Sequence, residues 1–289
     1  MKKKLLIMMI NINNIFHIYF NNNTEEVKGN YLSRDEEIEK IKIIIDYPVK
    51  SFYKLFYECD YIKSINFKKF HRNNITNMSW MFYGCRSLKE LNLTNFNANY
   101  VTDMGYMFAG CSSLKELNLT NFCTDNVINM NYMFDFCGSL EKLILTNFNA
   151  NNLTNMNYMF NDCSSLIELN LTNFNTNKVT DMNNMFLGCS SLKELDLSNF
   201  NTYNVTNMSG MFYGCSSLKE LNVSNFNTNN VDNMGSMFCG CSSLKELNIT
   251  NFNTNNVTNM SDMFSRCSSL LKINISIERQ NFSSNIKGK

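Results

Sequence analysis

The sequence has little histidine, and it lacks the short motifs of most enzymes. Only two of its 289 residues are histidines, His17 and His71, and neither recurs beside a repeated serine or cysteine. A Ser/His/Asp or Cys/His catalytic arrangement needs such a base next to its nucleophile. The glycine motifs that bind phosphates and dinucleotides are also missing. The sequence therefore predicts a protein that is not an enzyme, with no catalytic residues and no cofactor.

An excess of charge of one sign and long apolar runs are missing too. Lysine and arginine number 26 and aspartate and glutamate 25, which gives a net charge of +1. This balance argues against a surface for nucleic acid or anionic membranes. Beyond the N-terminus, no segment approaches the roughly 18 apolar residues that a membrane-spanning helix needs. We expect no nucleic-acid partner and no transmembrane segment other than a signal at the N-terminus.

What the sequence does have is a strict repeat. Nine cysteines are each 26 residues apart, with no insertion or deletion between them: Cys59, Cys85, Cys111, Cys137, Cys163, Cys189, Cys215, Cys241 and Cys267. A period of roughly 20–50 residues is typical of a solenoid, in which stacked copies share one core. The spacing fits no zinc motif, so we expect no metal site and interpret these cysteines as buried thiols. Cys123 lies outside the file and is expected to be exposed and reactive.

Each copy contains two periodicities. Met104, Met107 and Phe108 precede a cysteine with the spacing of one helix face. Leu117 and Leu119 then alternate with polar residues, as in a strand with one buried face. The leucines and the phenylalanine that follows them match the leucine-rich repeat pattern, with Phe in place of its usual Asn or Cys. Each copy is therefore predicted to contain one short strand and one short helix.

Stacking such copies predicts an α/β fold, a leucine-rich-repeat-type solenoid of nine 26-residue copies. A parallel strand ladder would lie on one side and short helices on the other. Gly110 and its counterparts would end the helices, and the Asn, Thr or Asp residues before each methionine pair would begin them. The phenylalanines would form two files of stacked rings. A β-solenoid without helices is the alternative.

The two ends depart from the repeat. Residues 1–23 carry three lysines and a short apolar run, and they are interpreted as a signal peptide or a flexible leader. Residues 24–75 are expected to form an N-terminal capping segment with a degenerate first copy, and residues 76–277 the solenoid. Residues 278–289 are polar and are expected to form a flexible tail.

Polar residues are expected to point outward from the predicted strands. Because stacked strands lie about 4.8 Å apart, these residues would form a long, nearly uncharged surface of amides and hydroxyls. They could merely solvate the strands and bond to each other, or they could form an extended recognition face, as solenoids commonly do. The candidate binding residues are Asn92, Thr94, Asn118, Thr120, Asn170, Thr172, Asn222, Ser224, Asn248 and Thr250.

The repeat itself resembles that of a known family. The string VTNMSGMFYGCSSLKELNVSNFNTNN, residues 205–230, is similar to the repeat of the BspA-like leucine-rich repeat surface proteins, and the similarity extends over residues 52–276. The resemblance implies a cell-surface or secreted protein linked to adhesion to host or matrix proteins. It provides no catalytic residues.

The residues and the resemblance together predict a non-enzymatic binding and adhesion protein. Its strand face would engage protein or glycan partners of a host, a matrix or another cell surface, so we expect it to be extracellular or at the cell surface. One alternative is an intracellular scaffold for protein interactions, which would keep its lysine-rich start in the cytoplasm. Another is a face that binds ice or another crystal.

Overall fold

The computed structural model describes most of the repeat region and short pieces of the N-terminal region. The described residues are 3–4, 16–20, 24–26, 31–32, 41–45, 49–67, 74–94, 96 and 98–275. The predictions for most of the leader, for His71 and for the tail 278–289 therefore lie outside the described residues.

Ten short strands occur in the described part of the chain, which contains no helix. Four of them form two antiparallel pairs near the N-terminus: β1 (Lys3–Lys4) with β3 (Tyr31–Leu32), and β2 (Phe16–Phe20) with β4 (Ile41–Ile45). The others are β5 (Ser64–Asn66), β6 (Glu90–Asn92), β7 (Glu116–Asn118), β8 (Lys142–Ile144), β9 (Glu246–Ile249) and β10 (Lys272–Ile275).

The predicted parallel ladder is present in three separate pairs. β5 pairs with β6, β7 with β8 and β9 with β10, each in parallel and with partners one copy apart, as Ile65 is opposite Leu91. Between residues 145 and 245 the matching segments lie in no strand. The ladder is therefore interrupted on the side where the sequence predicts it to be continuous.

A second set of parallel bridges runs the length of the repeats. The bridges join residues eight positions before successive cysteines, starting at Ser51 and Asn77 and ending at Asn259. At one of them, the N–H group of Met78 donates to the Asp103 carbonyl at 2.9 Å. Because every bridge joins positions 26 residues apart, the copies stack in register, as the sequence predicts. The number of nine copies stays a prediction from the cysteine spacing.

The prediction of short helices is wrong. The eight residues before each cysteine form a ribbon of β-turns, here called the turn ribbon. In the copy that ends at Cys111, the N–H groups of Met107 and Cys111 donate three residues back, to Met104 and Phe108, at 3.2 and 3.0 Å. The N–H group of Phe108 instead donates to Met133 of the next copy at 2.9 Å. In an α-helix each of these groups would bond within its own segment.

Left-handed residues explain why no helix forms. Tyr106 and Gly110 have φ values of 57° and 75°, as at the third position of a type II turn, and such residues interrupt an α-helix. Two successive turns place residues i, i+3, i+4 and i+7 on one face, as a helix also does, so the apolar spacing could not separate the two. The solenoid without helices, the alternative considered above, agrees with the described residues.

The apolar residues of the turn ribbon and of the strand segments form one continuous core. Met104, Met107 and Phe108 are completely buried, and so are their counterparts in most copies. One file of phenylalanine rings runs unbroken from Phe56 to Phe264, with centroids 5.5 to 5.7 Å apart and nearly parallel planes. The predicted stacking of this file is therefore confirmed.

The two ends of the core differ in exposure. In the first copy Phe56 and Cys59 are 5% and 2% exposed, although no earlier copy covers them. In the last copy Phe264 and Cys267 remain partly exposed. The core is therefore covered at its N-terminal end and more open at its C-terminal end.

We expect the Phe212→Ala substitution to destabilise the protein by about 3–5 kcal/mol, because it leaves a cavity between stacked rings. Phe212 is completely buried and lies 5.7 and 5.6 Å from the rings of Phe186 and Phe238. Urea denaturation measures the loss, and hydrogen exchange should show the neighbouring copies opening first. Tyr203→Ala, at an exposed position, is the control. Uniform loss of protection along the chain would contradict this expectation.

Candidate functional site: the strand face and the turn ribbon

The predicted strand face is an exposed polar file whose side chains pair within each copy. The Asn118 Oδ1 accepts hydrogen bonds from the Thr120 backbone N–H at 2.9 Å and from its Oγ1 at 2.6 Å. The pairs Asn92/Thr94, Asn170/Thr172, Asn222/Ser224 and Asn248/Thr250 form the same backbone bond. This is the Asx turn, in which a side chain substitutes for a backbone acceptor. Nine of the ten predicted residues are exposed and Thr120 is half-buried.

The Asx turn leaves one half of each amide unused. The Nδ2 groups of Asn118, Asn170, Asn222 and Asn248 have no hydrogen-bond partner among the described residues. Because the other end of each amide is bonded, its orientation is fixed. The face therefore presents the same donor in the same geometry in each copy that has asparagine at this position, whereas Ile144 and Asp196 replace it in two others.

Other asparagines connect the copies, a role that the sequence analysis missed. The Asn225 Nδ2 donates to the carbonyls of Leu197 and Phe200 in the preceding copy, at 2.9 and 2.8 Å. A second file does the same from Asn204 and Asn230, each to a carbonyl 27 residues earlier at 2.7 Å. Similar bonds occur beside the strand pairs, as from Asn126 to Asn99 at 2.7 Å, so side-chain amides satisfy backbone carbonyls both with and without the strand ladder. The signal in the sequence is asparagine recurring at fixed positions of the copy.

The cysteine file is buried from Cys59 to Cys241, as predicted, and Cys267 in the last copy is half-buried. Each thiol from Cys85 onward donates to the carbonyl of the phenylalanine 29 residues earlier, as Cys137 does to Phe108 at 3.2 Å. No disulfide joins any of the eleven cysteines, all of which the structure describes. Burial raises the pKa of Cys137 and of Cys189 to about 12, so these thiols stay protonated at neutral pH. The described residues form no cluster suited to a metal ion.

Cys123 differs from the file. Its thiol is half-buried and donates to the Asp125 Oδ2 at 3.1 Å. A backbone hydrogen bond from Asp125 lowers the pKa of Cys123, but burial and the Asp125 carboxylate outweigh it and raise the pKa above its usual value. Its partial exposure agrees with the prediction of an accessible thiol, whereas the carboxylate disfavours the reactive thiolate.

A file of aromatic rings lies on the turn ribbon, and it was not predicted. Trp80, Tyr106, Tyr132 and Tyr158 are each five residues before a cysteine, half-buried and stacked with centroids 4.1, 4.5 and 4.5 Å apart. All four have a left-handed backbone, with φ between 54° and 60°. The recurrence of an aromatic residue at one position in four successive copies is the signal that could have revealed it.

A lysine lies at the N-terminal end of this file. The ring of Tyr57 lies 6.0 Å from that of Trp80, and the Lys54 Nζ lies 4.6 Å from the Tyr57 centroid and 5.3 Å from that of Trp80. These separations are typical of cation–π contacts. The aromatic file therefore meets a cation at one end.

One protein-family model matches nearly the whole repeat region. It is the model described as "Mycoplasma protein of unknown function, DUF285", and it matches residues 50–166, 139–221 and 189–287. No curated protein matches the sequence. Among the described residues, no helix has the length and apolar character that crossing a membrane requires.

Two solved structures share features with this chain. A leucine-rich repeat protein from Bacteroides ovatus has 16% identity and a TM-score of 0.39, over 90% of this chain and 75% of that one. A leucine-rich cell surface protein from Faecalibacterium prausnitzii has 16% identity and a TM-score of 0.29, over 96% of each chain. Similarity at this level supports no further structural conclusion.

We expect the buried thiols to make stability fall at high pH. The pKa of Cys137 and of Cys189 is raised from 9.0 to about 12 by burial, so the folded state holds these protons more tightly than the unfolded state. Their contribution is complete below pH 9.0 and is lost as the pH rises towards about 12. Each thiol should add a slope of about 1.4 kcal/mol per pH unit.

Urea denaturation at a series of pH values, under reducing conditions, measures this slope. Cys137→Ala should remove one thiol's share of it. A slope unchanged by the substitution would show that the thiol does not govern the pH dependence.

Proposed function

Because this chain belongs to the DUF285 family, whose repeats fit the BspA-like leucine-rich repeat pattern, we propose that it is a non-enzymatic binding and adhesion protein of the cell surface or the extracellular space. Its partners are proteins or glycans of a host, a matrix or another cell. They bind along the strand face, defined by Asn92, Thr94, Asn118, Thr120, Asn170, Thr172, Asn222, Ser224, Asn248 and Thr250.

The unused amide donors carry this proposal. Asn118, Asn170 and Asn222 each direct an Nδ2 group away from an Oδ1 that is already bonded within the copy. Amides and hydroxyls donate and accept hydrogen bonds but do not ionise near neutral pH, so this face suits binding and not catalysis. Because the same donor recurs in every second copy from Asn118 to Asn222, a partner with repeated acceptors at that spacing would gain avidity from many weak contacts.

We expect the combined substitutions Asn118→Asp, Asn170→Asp and Asn222→Asp to weaken binding about tenfold or more, because they remove three donors. The fold should survive, since Asp196 already accepts the same backbone bond, from Ser198 at 2.9 Å. Binding is measured on immobilised extracellular-matrix proteins and on an oligosaccharide array, with wild-type protein alongside.

The matched control makes the same change of charge away from the strand face. Asn155, Asn207 and Asn233 lie eight residues before their cysteines, a position that Asp103 and Asp181 occupy in other copies. Replacing these three by Asp should leave binding unchanged. Equal binding by both triple variants, or equal loss in both, would remove the strand face as the recognition surface.

An intracellular scaffold is the second candidate, and one observation favours it. β2 lies within the segment interpreted as a leader, yet it pairs with β4 along its whole length, as His17 is opposite Ile44. His17 also lies 3.1 Å from Glu26, measured from Nδ1 to Oε1. Removing residues 1–23 would break both contacts, so a retained N-terminus would suit a protein that stays inside the cell.

Mass spectrometry of the N-terminus of the native protein separates the two candidates. Export through a cleaved leader predicts a mature chain that begins near residue 24 and lacks β2. A chain that begins at Met1 or Lys2 would contradict export by cleavage.

A further inference from the structure

Because the copies are equivalent, the residues of one copy can be compared with those at the same positions in the others. The position six residues before the cysteine is Tyr, Ser or Gly in six copies. In three consecutive copies it is asparagine instead: Asn131, Asn157 and Asn183. Asparagine at this position is therefore confined to three neighbouring copies in the middle of the array.

The aromatic file ends within the same three copies. Tyr158 stacks on Tyr132 at 4.5 Å, and among the described residues no ring lies against its other side. The next copies have Asn184 and Gly210 at that position. The amide of Asn184 lies over Gly210, in the space that a Cβ of that residue would occupy. Tyr158 is therefore the last ring of the stack, and the next copy has no ring at the same position.

Backbone conformation shows that the rings are retained at a cost. Tyr158 has a φ of 54°, and Asn184 and Gly210 have φ values of 52° and 60° at the same position. Glycine and asparagine tolerate this conformation, whereas bulky side chains are strained in it. The conformation recurs at this position in every copy, as at Lys54 and Ser236, so the turn ribbon imposes it whichever residue is present. A tyrosine here is therefore not explained by the local backbone.

Three unpaired acceptors lie in the two copies at the end of the stack. The Oδ1 atoms of Asn157, Asn161 and Asn183 are buried and have no hydrogen-bond partner among the described residues. Asn161 is only 5% exposed, and its Nδ2 donates to the Asp135 Oδ1 at 2.6 Å. Burying an unpaired carbonyl oxygen is unfavourable. An amide that turns outward to a ligand donor would therefore lose no hydrogen bond at its oxygen.

Backbone bonds hold these amides next to Tyr158. The Tyr158 N–H donates to the Asn183 carbonyl at 3.0 Å, and the Asn161 N–H donates to the Tyr158 carbonyl at 3.2 Å. Asn157 precedes Tyr158 in the chain. The half-buried ring of Tyr158 and three amides with unused acceptors are thus contributed by two adjacent copies.

We propose that this part of the turn ribbon is a carbohydrate site, in which a sugar ring stacks on Tyr158 and its hydroxyl groups donate to Asn157, Asn161 and Asn183. A sugar matches both halves of the site, because it has an apolar C–H face and several O–H donors around one ring. A tyrosine or tryptophan side chain of a peptide would also stack, but its ring has one donor, whereas a sugar ring has several. This site is separate from the strand face and does not depend on the function proposed for it.

Replacing the ring tests the proposal. Tyr158→Asn introduces the residue that Asn184 already provides at this position, so the fold should tolerate it. The probes are immobilised oligomers of β-linked glucose, galactose and N-acetylglucosamine, and affinities for those that bind are measured by calorimetry. We expect the wild-type protein to bind at least one of them and Tyr158→Asn to bind it about tenfold more weakly.

Two further variants fix the interpretation. Tyr203→Asn is the matched control, because Tyr203 is exposed and Asn177 and Asn229 occupy its position in the neighbouring copies; it should bind like the wild type. Asn161→Leu introduces the residue found at Leu187, one copy later. It removes one acceptor and also the donor to Asp135, so we expect weaker sugar binding, and circular dichroism checks that the protein stays folded.

Three results would overturn the carbohydrate site. They are the absence of binding to every oligomer, equal sugar affinity in the wild type and Tyr158→Asn, and capture of tryptophan-containing peptides at Tyr158 without any sugar. The triple aspartate variant of the strand face should keep its sugar affinity, so failure of one surface is distinguishable from failure of the other.

Discussion

Hydrogen bonds from one copy to the next are the constraint on which the rest of this structure depends. In the turn ribbon, alternate N–H groups leave their own segment and donate to the following copy, as Phe108 does to Met133 at 2.9 Å. This fixes the separation of the copies and their register. The phenylalanine rings, the thiols and the side-chain amides then repeat at that separation, each against its own counterpart. Elsewhere the ladder is partial, and asparagine side chains complete it.

The sequence predicts what depends on spacing and leaves open what depends on backbone conformation. The period, the buried faces and the exposed Asn/Thr file follow from which positions are apolar. The choice between helix and turns does not, because Met104, Met107, Phe108 and Cys111 would share one face in either. What decides it is the left-handed backbone at two residues per copy, and one of these is often Tyr or Phe, residues that give no such signal.

The candidate surfaces differ in how far the sequence could reveal them. The strand face could be predicted because the alternation of apolar and polar residues directs Asn118 outward. This holds whether the other segment of the copy is a helix or a turn ribbon. The aromatic file and the unpaired amides depend on how side chains of two copies meet, which no single copy encodes. Trp80 to Tyr158 recur at a fixed interval, so their alignment was open to prediction. The fact that the stack ends beside buried, unbonded oxygens was not.

Register between copies also determines how such a chain can change in length. Every bridge joins equivalent residues, so deleting or duplicating a block of 26 residues would recreate the same contacts at the new junction. Recombination between neighbouring copies can therefore lengthen or shorten the array without a new packing problem. The same event near Tyr158 would remove or duplicate the step from Tyr158 to Asn184, at which an aromatic residue is followed by asparagine in the next copy. The described turn ribbons contain this step once. Length variants of one gene could thus share a scaffold and differ in what they recognise.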